Sequence, residues 1–127
     1  MSFFVDIILP NYNKEFFLQE TINSVLSQNY INWKLMIIDN CSTDNSNKII
    51  EKYRANKKIN IIYLKKNMGV SFSRNLGIRL SNSKYIAFLD ADDIWTSNKL
   101  EDQIKFMDKK NYNFTYTCLL YTSPSPR

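Results

Sequence analysis

The sequence predicts an α/β protein in which a mainly parallel sheet is covered by helices on both faces. Short apolar runs, each the length of a buried strand, alternate four times with segments whose apolar residues recur at helical spacing. Turn-forming or acidic residues follow these runs, as expected where strands end in loops. The 127 residues, 44% of them hydrophobic, suffice for one domain with a single core.

The first strand is predicted over residues 3–9, an apolar run broken by Asp6. Residues 10–13, Pro-Asn-Tyr-Asn, follow with strong turn chemistry and form its exit loop. Asn13 is a favoured N-cap residue, so the first helix is predicted to begin there and to end near residue 28 or 29. The apolar face of this helix contains Leu18, Ile22, Val25 and Leu26.

The second strand is predicted over residues 33–38 and runs directly into Asp39. Ser42 or Thr43 is expected to cap the second helix, because both are favoured N-cap residues. The apolar positions that mark this helix are Ile49, Ile50 and Tyr53.

The third strand is predicted over residues 59–64, after a polar and basic turn at residues 56–58. Gly69, one of only two glycines, lies where the loop of residues 67–71 meets the third helix. The apolar positions of this helix are Phe72, Leu76 and Leu80, whereas Lys65, Lys66 and Arg79 are expected to face solvent.

The fourth strand, predicted over residues 85–89, stops at three carboxylates, Asp90, Asp92 and Asp93. Such a cluster is costly without a counter-charge, because neighbouring carboxylates disfavour one another's ionised form. Hard oxygen ligands suit Mg²⁺ or Mn²⁺. The alternative is that these aspartates are turn residues or helix caps.

The fourth helix is predicted over residues 98–107, with Leu100, Ile104 and Met107 on its apolar face. Asn98 and Glu101 make a capping-box-like start for this helix. Because the cap is thereby supplied, the metal interpretation of the three upstream aspartates is favoured. A fifth strand is predicted over residues 112–117, and Trp95 is expected to belong to the core.

In a parallel sheet with right-handed crossovers, the loops after strands one, two and four lie along one edge. That edge would present residues 10–12, Asp39 and the three aspartates, with the loop of residues 67–71 entering nearby. Ligands of open α/β sheets bind at this edge, outside the carboxyl ends of the strands. The sequence therefore predicts a ligand site there.

Seventeen lysines and arginines against twelve acidic residues give a net charge of +5, so anionic partners are expected. The lysines are spread along the chain without an aromatic and basic platform, which argues against a nucleic-acid partner. The chain has no histidine, which excludes histidine-based triads and zinc sites with histidine ligands within it. Cys41 and Cys118 fit a reduced cytosolic protein at least as well as a disulfide.

The apolar runs are shorter than the roughly 18 to 20 residues of a membrane span. The N-terminus lacks the positive region of a signal peptide. A cytoplasmic location is expected, including a peripheral one at the inner face of the membrane.

Four segments resemble, in order and spacing, the nucleotide-sugar half of family 2 glycosyltransferases. They are Ile-Leu-Pro-Asn-Tyr-Asn at 8–13, Ile-Ile-Asp-Asn-Cys-Ser-Thr-Asp at 37–44, Asn-Met-Gly-Val-Ser-Phe-Ser-Arg-Asn at 67–75 and Phe-Leu-Asp-Ala-Asp-Asp-Ile-Trp at 88–95. Four such matches in the right order make a coincidence improbable. The resemblance implies a GT-A fold, which is a Rossmann-like sandwich that binds a nucleoside-diphosphate sugar together with divalent Mn²⁺ or Mg²⁺.

The resemblance also implies a role for each matching residue. Pro10 and Tyr12 would line the base pocket, and Asp39 would hydrogen-bond the base or ribose. Arg74 and Asn75 would lie near the base or diphosphate and help to organise the aspartates. In the Asp-x-Asp pair, Asp90 would face the ribose and Asp92 the metal, with Asp93 as a second metal participant. For Asp39, Arg74 and Tyr12, the alternatives are a turn residue, a solvated helix residue and a packing residue.

The reaction implied is transfer of a sugar, from UDP as the expected nucleotide, to a hydroxyl of a cell-envelope glycan or lipid-linked acceptor, with inversion. Asn40 departs from the second aspartate that is frequent in this family, which is a mild change. The general base is expected beyond residue 127, so this chain is expected to bind donor and to be inactive alone.

Residues 1–117 are read as the nucleotide-sugar-binding half, and residues 118–127 as a disordered tail that departs from the family. The alternative to a donor-binding part of an enzyme is a non-catalytic nucleotide-binding or assembly module whose aspartates are structural.

Overall fold

A computed structural model of the protein describes residues 5–110. Four strands alternate with four helices in this part of the chain, as the sequence predicts. The elements are β1 Val5–Asn11, α1 Glu15–Leu26, β2 Trp33–Asp39, α2 Ser46–Glu51, β3 Ile59–Tyr63, α3 Val70–Leu80, β4 Tyr85–Phe88 and α4 Lys99–Lys110. The predicted strand at 112–117 and the predicted tail at 118–127 lie outside the described residues.

The four described strands form one parallel sheet in the order β3-β2-β1-β4. β1 pairs with β2 from Val5, which lies opposite Trp33, to Asn11, which lies opposite Asp39. β1 pairs with β4 only from Val5 to Ile8. All four carboxyl ends therefore meet at one edge. The predicted fold class is confirmed, whereas the strand order was not part of the prediction.

Alternate side chains of the strands point to opposite faces of the sheet, and each face is apolar. One face packs against α1, α2 and α4 and buries the larger cluster, which includes Ile7, Leu9, Ile37 and Trp95. The other face packs against α3 and buries Ile8, Met36 and Ile38, with Leu76 and Phe88 partly buried beside them. Helices thus cover both faces, and the prediction that Trp95 is a core residue is confirmed by its exposed fraction of 4%.

The predicted N-cap of α1 is wrong. Asn13 has a left-handed φ of 53° and lies outside the helix, whose N-cap is Lys14. The backbone N–H of Glu15 instead donates to Asp44 Oδ2 at 3.0 Å, across 29 positions in the chain. The helix ends at Leu26, two residues before the nearer predicted end. A cap supplied by a distant loop leaves no local signature, which is why the local rule failed.

The predicted caps of α2 are also wrong, because the helix begins at Ser46 rather than after Ser42 or Thr43. Ser42 Oγ donates to Asp39 and accepts from Asn11 Nδ2 and the Asn13 N–H, so its oxygen serves the loop after β1 rather than a helix N-terminus. Asp44 Oδ1 accepts the Ser46 N–H at 2.8 Å. Asp44 thereby serves the first turns of two helices with its two oxygens.

Asn98 directly precedes α4, as predicted, and the helix continues to Lys110, three residues beyond the predicted end. The backbone N–H of Leu100 in its first turn donates to Gln28 Oε1 at 3.0 Å. The start of α4 is therefore attached to the residue that the sequence assigned to the end of α1. Lys65, Lys66 and Arg79 are exposed, as predicted.

Candidate functional site

The ends of β1 and β2 place Asn11 beside Asp39 at the carboxyl edge of the sheet. Asp39 is 1% exposed, yet its carboxylate accepts three hydrogen bonds. Asn11 Nδ2 donates to Oδ1 at 2.9 Å, and the Ser42 hydroxyl donates to the same oxygen at 2.7 Å. The Ser42 N–H donates to Oδ2 at 2.9 Å. Asp39 does form a local turn, and the same bonds fix the direction of its carboxylate at this edge.

Pro10 and Tyr12 occupy different environments at the end of β1. Pro10 is buried in the strand, opposite Ile38, and lies beyond the last residue of β1 that pairs with β4. Tyr12 follows the strand and is 41% exposed. Of the two predicted pocket residues, Tyr12 is thus the one whose side chain solvent can reach freely.

The loops after β1 and β2 are joined by hydrogen bonds in both directions, since the Asn13 N–H donates to Ser42 Oγ at 3.0 Å. Asn13 Oδ1 accepts the Thr43 N–H at 2.8 Å, and Glu15 Oε1 accepts the Asn45 N–H at 2.9 Å. Partial burial acts to raise the pKa of Asp44, but hydrogen bonds from Ser46 and the Glu15 N–H outweigh it and lower that pKa below its usual value. The two loops therefore form one connected rim beside Asp39.

The three predicted aspartates lie in a turn that follows β4, in which the Asp93 N–H donates to the Asp90 carbonyl at 3.0 Å. Asp90 forms an ion pair with Arg74 of α3, with 2.8 Å between Oδ1 and Nη2. Asp92 Oδ2 lies 3.4 Å from Lys14 Nζ, and both of these side chains are 44% exposed. The structure thus brings Arg74 to the cluster, as the sequence suggested, and adds Lys14, which the sequence did not single out.

Two further predicted residues are placed less specifically. Asn75 follows Arg74 on α3 and is exposed. Asp93 is partly exposed at the end of the turn. Each is adjacent in the sequence to a residue of the edge, Asn75 to Arg74 and Asp93 to Asp92, and their roles stay predictions.

Asn40 connects the edge to the loop before α3. It is 4% exposed, and its Oδ1 accepts the Met68 N–H at 2.8 Å. Its Nδ2 donates to Asn67 Oδ1 at 2.8 Å, and that oxygen also accepts the Gly69 N–H at 2.9 Å. Asn40 is therefore a structural link between β2 and the start of α3.

A row of polar side chains on α1 and directly beyond its C-terminal end, which we call the α1 ladder, was missed by sequence reasoning. It consists of Thr21, Ser24 and Gln28, which bond to the backbone of residues 91–100. The signal lay in their spacing, since polar residues at i, i+3 and i+7 share a helix side with the buried Leu18, Ile22 and Val25. Polar groups on a buried helix side need partners, so they mark a polar contact with another segment.

The comparison with protein families decides the class of the protein. A sequence model described as glycosyl transferase family 2 matches residues 6–127. The chain belongs to this family. The resemblance stated from its four motifs is therefore confirmed.

Named glycosyltransferases and solved structures are similar to the chain over most of its length. It is 40% identical over 116 residues to the UDP-Glc:alpha-D-GlcNAc-diphosphoundecaprenol beta-1,3-glucosyltransferase WfgD of Escherichia coli, covering 91% of this chain and 45% of that protein. The structure of S. aureus TarS 1-349 in complex with UDP-GlcNAc matches with a TM-score of 0.78 and 29% identity, over 87% of this chain and 32% of that one.

A third match concerns the fold alone. Mannosyltransferase PcManGT from Pyrobaculum calidifontis, solved in complex with GDP-Man and Mn²⁺, matches with a TM-score of 0.75 at 19% identity, over 81% of this chain and 32% of that one. The fold of the chain is the GT-A fold of these glycosyltransferases. The chain spans less than half the length of the relatives it matches.

The chemistry of this family 2 edge fits a divalent cation. Within residues 5–110, no group of three or more acidic, cysteine or histidine side chains is arranged to hold a metal by itself. Mg²⁺ in enzymes is commonly bound by one or two carboxylates together with substrate phosphates, so a complete protein cage is not required. Asp92 supplies a carboxylate that is 44% exposed and lies beside Lys14. It can therefore contribute one oxygen ligand to such a cation.

Proposed function

We propose that this chain is the donor-binding part of a family 2 glycosyltransferase that binds a nucleoside-diphosphate sugar with a divalent metal. The observation that carries the proposal is the meeting of Asp39 and the Asp90–Asp93 turn at the carboxyl edge of one parallel sheet. A UDP-sugar is the proposed donor, supported by the names of WfgD and of the TarS complex.

The base and ribose would lie at the β1 and β2 end of the edge. Asp39, held by Asn11 and Ser42, would accept a hydrogen bond from the base or ribose. Pro10 and the exposed ring of Tyr12 would line the same pocket. Because Asp39 is already oriented before a ligand arrives, little side-chain entropy would be lost on binding.

The diphosphate would lie toward the aspartate turn. Asp90 would face the ribose, Arg74 would balance its charge, and Asn75 would lie near the diphosphate. Asp92, with Asp93 as a second participant, would hold Mn²⁺ or Mg²⁺, and the Mn²⁺ of the Pyrobaculum mannosyltransferase supports that choice. When bound, the metal would neutralise charge on the leaving diphosphate.

The proposed reaction is inverting transfer of the sugar to a hydroxyl of a cell-envelope glycan or lipid-linked acceptor. The lipid-linked substrate named for WfgD supports this acceptor class, and it fits a place at the inner face of the membrane. No helix among residues 5–110 is long and apolar enough to cross a bilayer. The described carboxylates downstream of the turn, Glu101, Asp102 and Asp108, lie on α4, and we propose that the general base comes from outside the described residues.

The proposal is tested by the melting temperature with and without UDP, in Mn²⁺ and then in EDTA. A ligand that binds only the native state stabilises it by about 2.7 kcal/mol at a hundredfold excess over Kd. We expect UDP to raise the melting temperature in Mn²⁺, and the increase to be much smaller in EDTA and in Asp92→Asn, where only the base and ribose contacts remain. Asp108→Asn, an exposed carboxylate of α4, is the matched control and should behave as the wild type.

A second function is favoured by one observation: Asp90 and Asp92 each have a cationic partner within the chain. In a non-catalytic nucleotide-binding or assembly module, these pairs would be structural. Asp92→Asn would then lower the melting temperature without changing the effect of UDP or Mn²⁺. Absence of any UDP effect on the folded wild type would contradict the donor-binding proposal.

A further inference from the structure

The segment of residues 91–100, which begins in the aspartate turn, is attached at four backbone positions to α1 and to Gln28 just beyond it. Thr21 Oγ1 donates to the Ala91 carbonyl at 2.8 Å, and Ser24 Oγ accepts the Trp95 N–H at 3.2 Å. Gln28 Nε2 donates to the Thr96 carbonyl at 2.6 Å, while its Oε1 accepts the N–H at the start of α4. The three rungs of the α1 ladder therefore hold a segment of ten residues by its backbone.

Of these hydrogen bonds, the one from Thr21 is nearest to the aspartates, because its acceptor residue, Ala91, lies between Asp90 and Asp92. Thr21 is fully buried and Ala91 is 4% exposed. A second carbonyl, that of Phe17 within α1, lies 3.2 Å from the same hydroxyl, farther than the Ala91 carbonyl. Because the peptide unit is planar, fixing the Ala91 carbonyl also fixes the direction in which the chain enters Asp92.

We infer that Thr21 is a positioning residue for Asp92, and that the α1 ladder holds the metal-binding carboxylate in place before the nucleotide arrives. The inference rests on the proposed function and deepens it. Thr21 touches neither nucleotide nor metal in this assignment and acts through the Ala91 peptide. The two carboxylates of the edge are therefore positioned by different contacts. Asn11 and Ser42 fix Asp39, whereas α1 fixes the backbone next to Asp92.

Packing alone does not account for the ladder. The apolar residues Leu18, Ile22 and Val25 already bury α1 against the sheet. A buried hydroxyl or amide adds a desolvation cost unless it is hydrogen-bonded. Here each such group is bonded to the backbone of the segment from Ala91 to Leu100, whose conformation decides where the carboxylates lie.

The test compares Thr21→Val, which removes the hydroxyl and keeps the shape, with Thr21→Ser, which restores it. The control is Ser27→Ala, an exposed position at the end of the same helix. Calorimetry gives the Kd of UDP in Mn²⁺ and in EDTA, and amide hydrogen exchange is followed in the ligand-free proteins. In Mn²⁺ we expect Thr21→Val to raise Kd about tenfold, the effect of one lost buried hydrogen bond, while in EDTA its Kd matches the wild type.

The amides of Asp92 and Asp93 should exchange faster in Thr21→Val, and Thr21→Ser should restore both exchange and Kd. An equal loss of affinity in Mn²⁺ and in EDTA would overturn the inference, because Thr21 would then support the whole edge. Unchanged exchange at Asp92 and Asp93 would also overturn it.

If the folded wild type binds no UDP, the proposed function fails, and hydrogen exchange alone decides whether Thr21 orients the turn. Ser24→Ala removes the next rung and replaces Thr21→Val if that variant does not fold. It should accelerate exchange of the Trp95 amide, and unchanged exchange there would count against the ladder.

Discussion

Arg74 and Asp90 are joined by a contact of 2.8 Å between Nη2 and Oδ1, which connects α3 to the turn after β4. Their side chains are 38% and 40% exposed, so solvent screens the pair and its contribution to stability is about 1 kcal/mol or less. The pair therefore matters more for the arrangement of the candidate site than for the fold.

The variant Arg74→Lys tests whether the ion pair contributes to ligand binding more than to stability. Lysine keeps the charge but lacks the planar fork of donors that arginine presents to a carboxylate. We expect the Kd of UDP in Mn²⁺ to rise about tenfold, and the melting temperature to fall by less than about 4 °C. Arg79→Lys, at an exposed position of α3, should change neither. A large loss of stability with unchanged Kd would make Arg74 a structural residue.

Asn40 gives a prediction about the loop before α3. Asn40→Ala leaves two partly buried groups, the Met68 N–H and the Asn67 side chain, without their partner, so we expect the free energy of unfolding to fall by about 1–3 kcal/mol. Asn40→Asp keeps an acceptor for the Met68 N–H. Asn67 can reverse its amide to donate to that aspartate, but it then loses its bond from the Gly69 N–H.

Chemical denaturation should therefore rank the proteins as wild type, Asn40→Asp and Asn40→Ala in order of decreasing stability. If Asn40→Asp were as unstable as Asn40→Ala, acceptance of the Met68 N–H would not be what Asn40 contributes.

The elements of this chain could be predicted because their signals are local. Each strand is a short apolar run and each helix shows apolar residues at helical spacing, so both appear within about a dozen residues. The location of the candidate site residues could be predicted because they end strands of a parallel sheet, and such ends share an edge. Asp39 and the Asp90–Asp93 turn were found in this way.

What the sequence did not reveal depends on contacts between distant residues. Thr21 bonds to a residue 70 positions away, and the N–H of Glu15 is capped from 29 positions away. Lys14 reaches Asp92 only because α1 and the aspartate turn lie at the same edge. The order of the strands likewise depends on which apolar faces meet, and a periodic pattern does not record that.

The two glycines yield a prediction about backbone and packing. A Cβ at Gly77 would lie 2.7 Å from Cγ2 of the fully buried Ile8, so Gly77→Ala should destabilise the protein by about 1–3 kcal/mol through overpacking. Gly69 has a φ of 89°, and a Cβ added there would meet no described atom within 4 Å beyond its chain neighbours. Gly69→Ala should therefore cost about 1 kcal/mol through backbone strain alone.

Denaturant unfolding in an Ile8→Ala background separates these two causes. This change removes Cγ2, Cδ1 and Cγ1, which lie 2.7, 2.8 and 2.9 Å from the added Cβ, so it should reduce the cost of Gly77→Ala and leave that of Gly69→Ala unchanged. Equal costs in both backgrounds would show that overpacking against Ile8 is not the reason Gly77 is required.

Glu51 gives a prediction about acid stability. A hydrogen bond from Arg54 and a second from the Tyr63 hydroxyl, at 2.5 Å, lower the pKa of Glu51 to about 2. Because the folded-state pKa lies below the unfolded value of 4.5, this carboxylate contributes stability that is complete above pH 4.5. That contribution is lost as the pH falls toward 2.

Two measurements check the sign and the cause. The stability difference between wild type and Glu51→Gln, followed by urea unfolding, should shrink between pH 4.5 and 2. The carboxyl carbon of Glu51, followed by NMR, should titrate near pH 2 in the wild type and at a higher pH in Arg54→Gln. Tyr63→Phe should raise the pKa of Glu51 by less than Arg54→Gln does, because Arg54 is the larger cause. A stability difference that grows toward acid pH would contradict this assignment, since Glu51 would then bind its proton more tightly in the folded state.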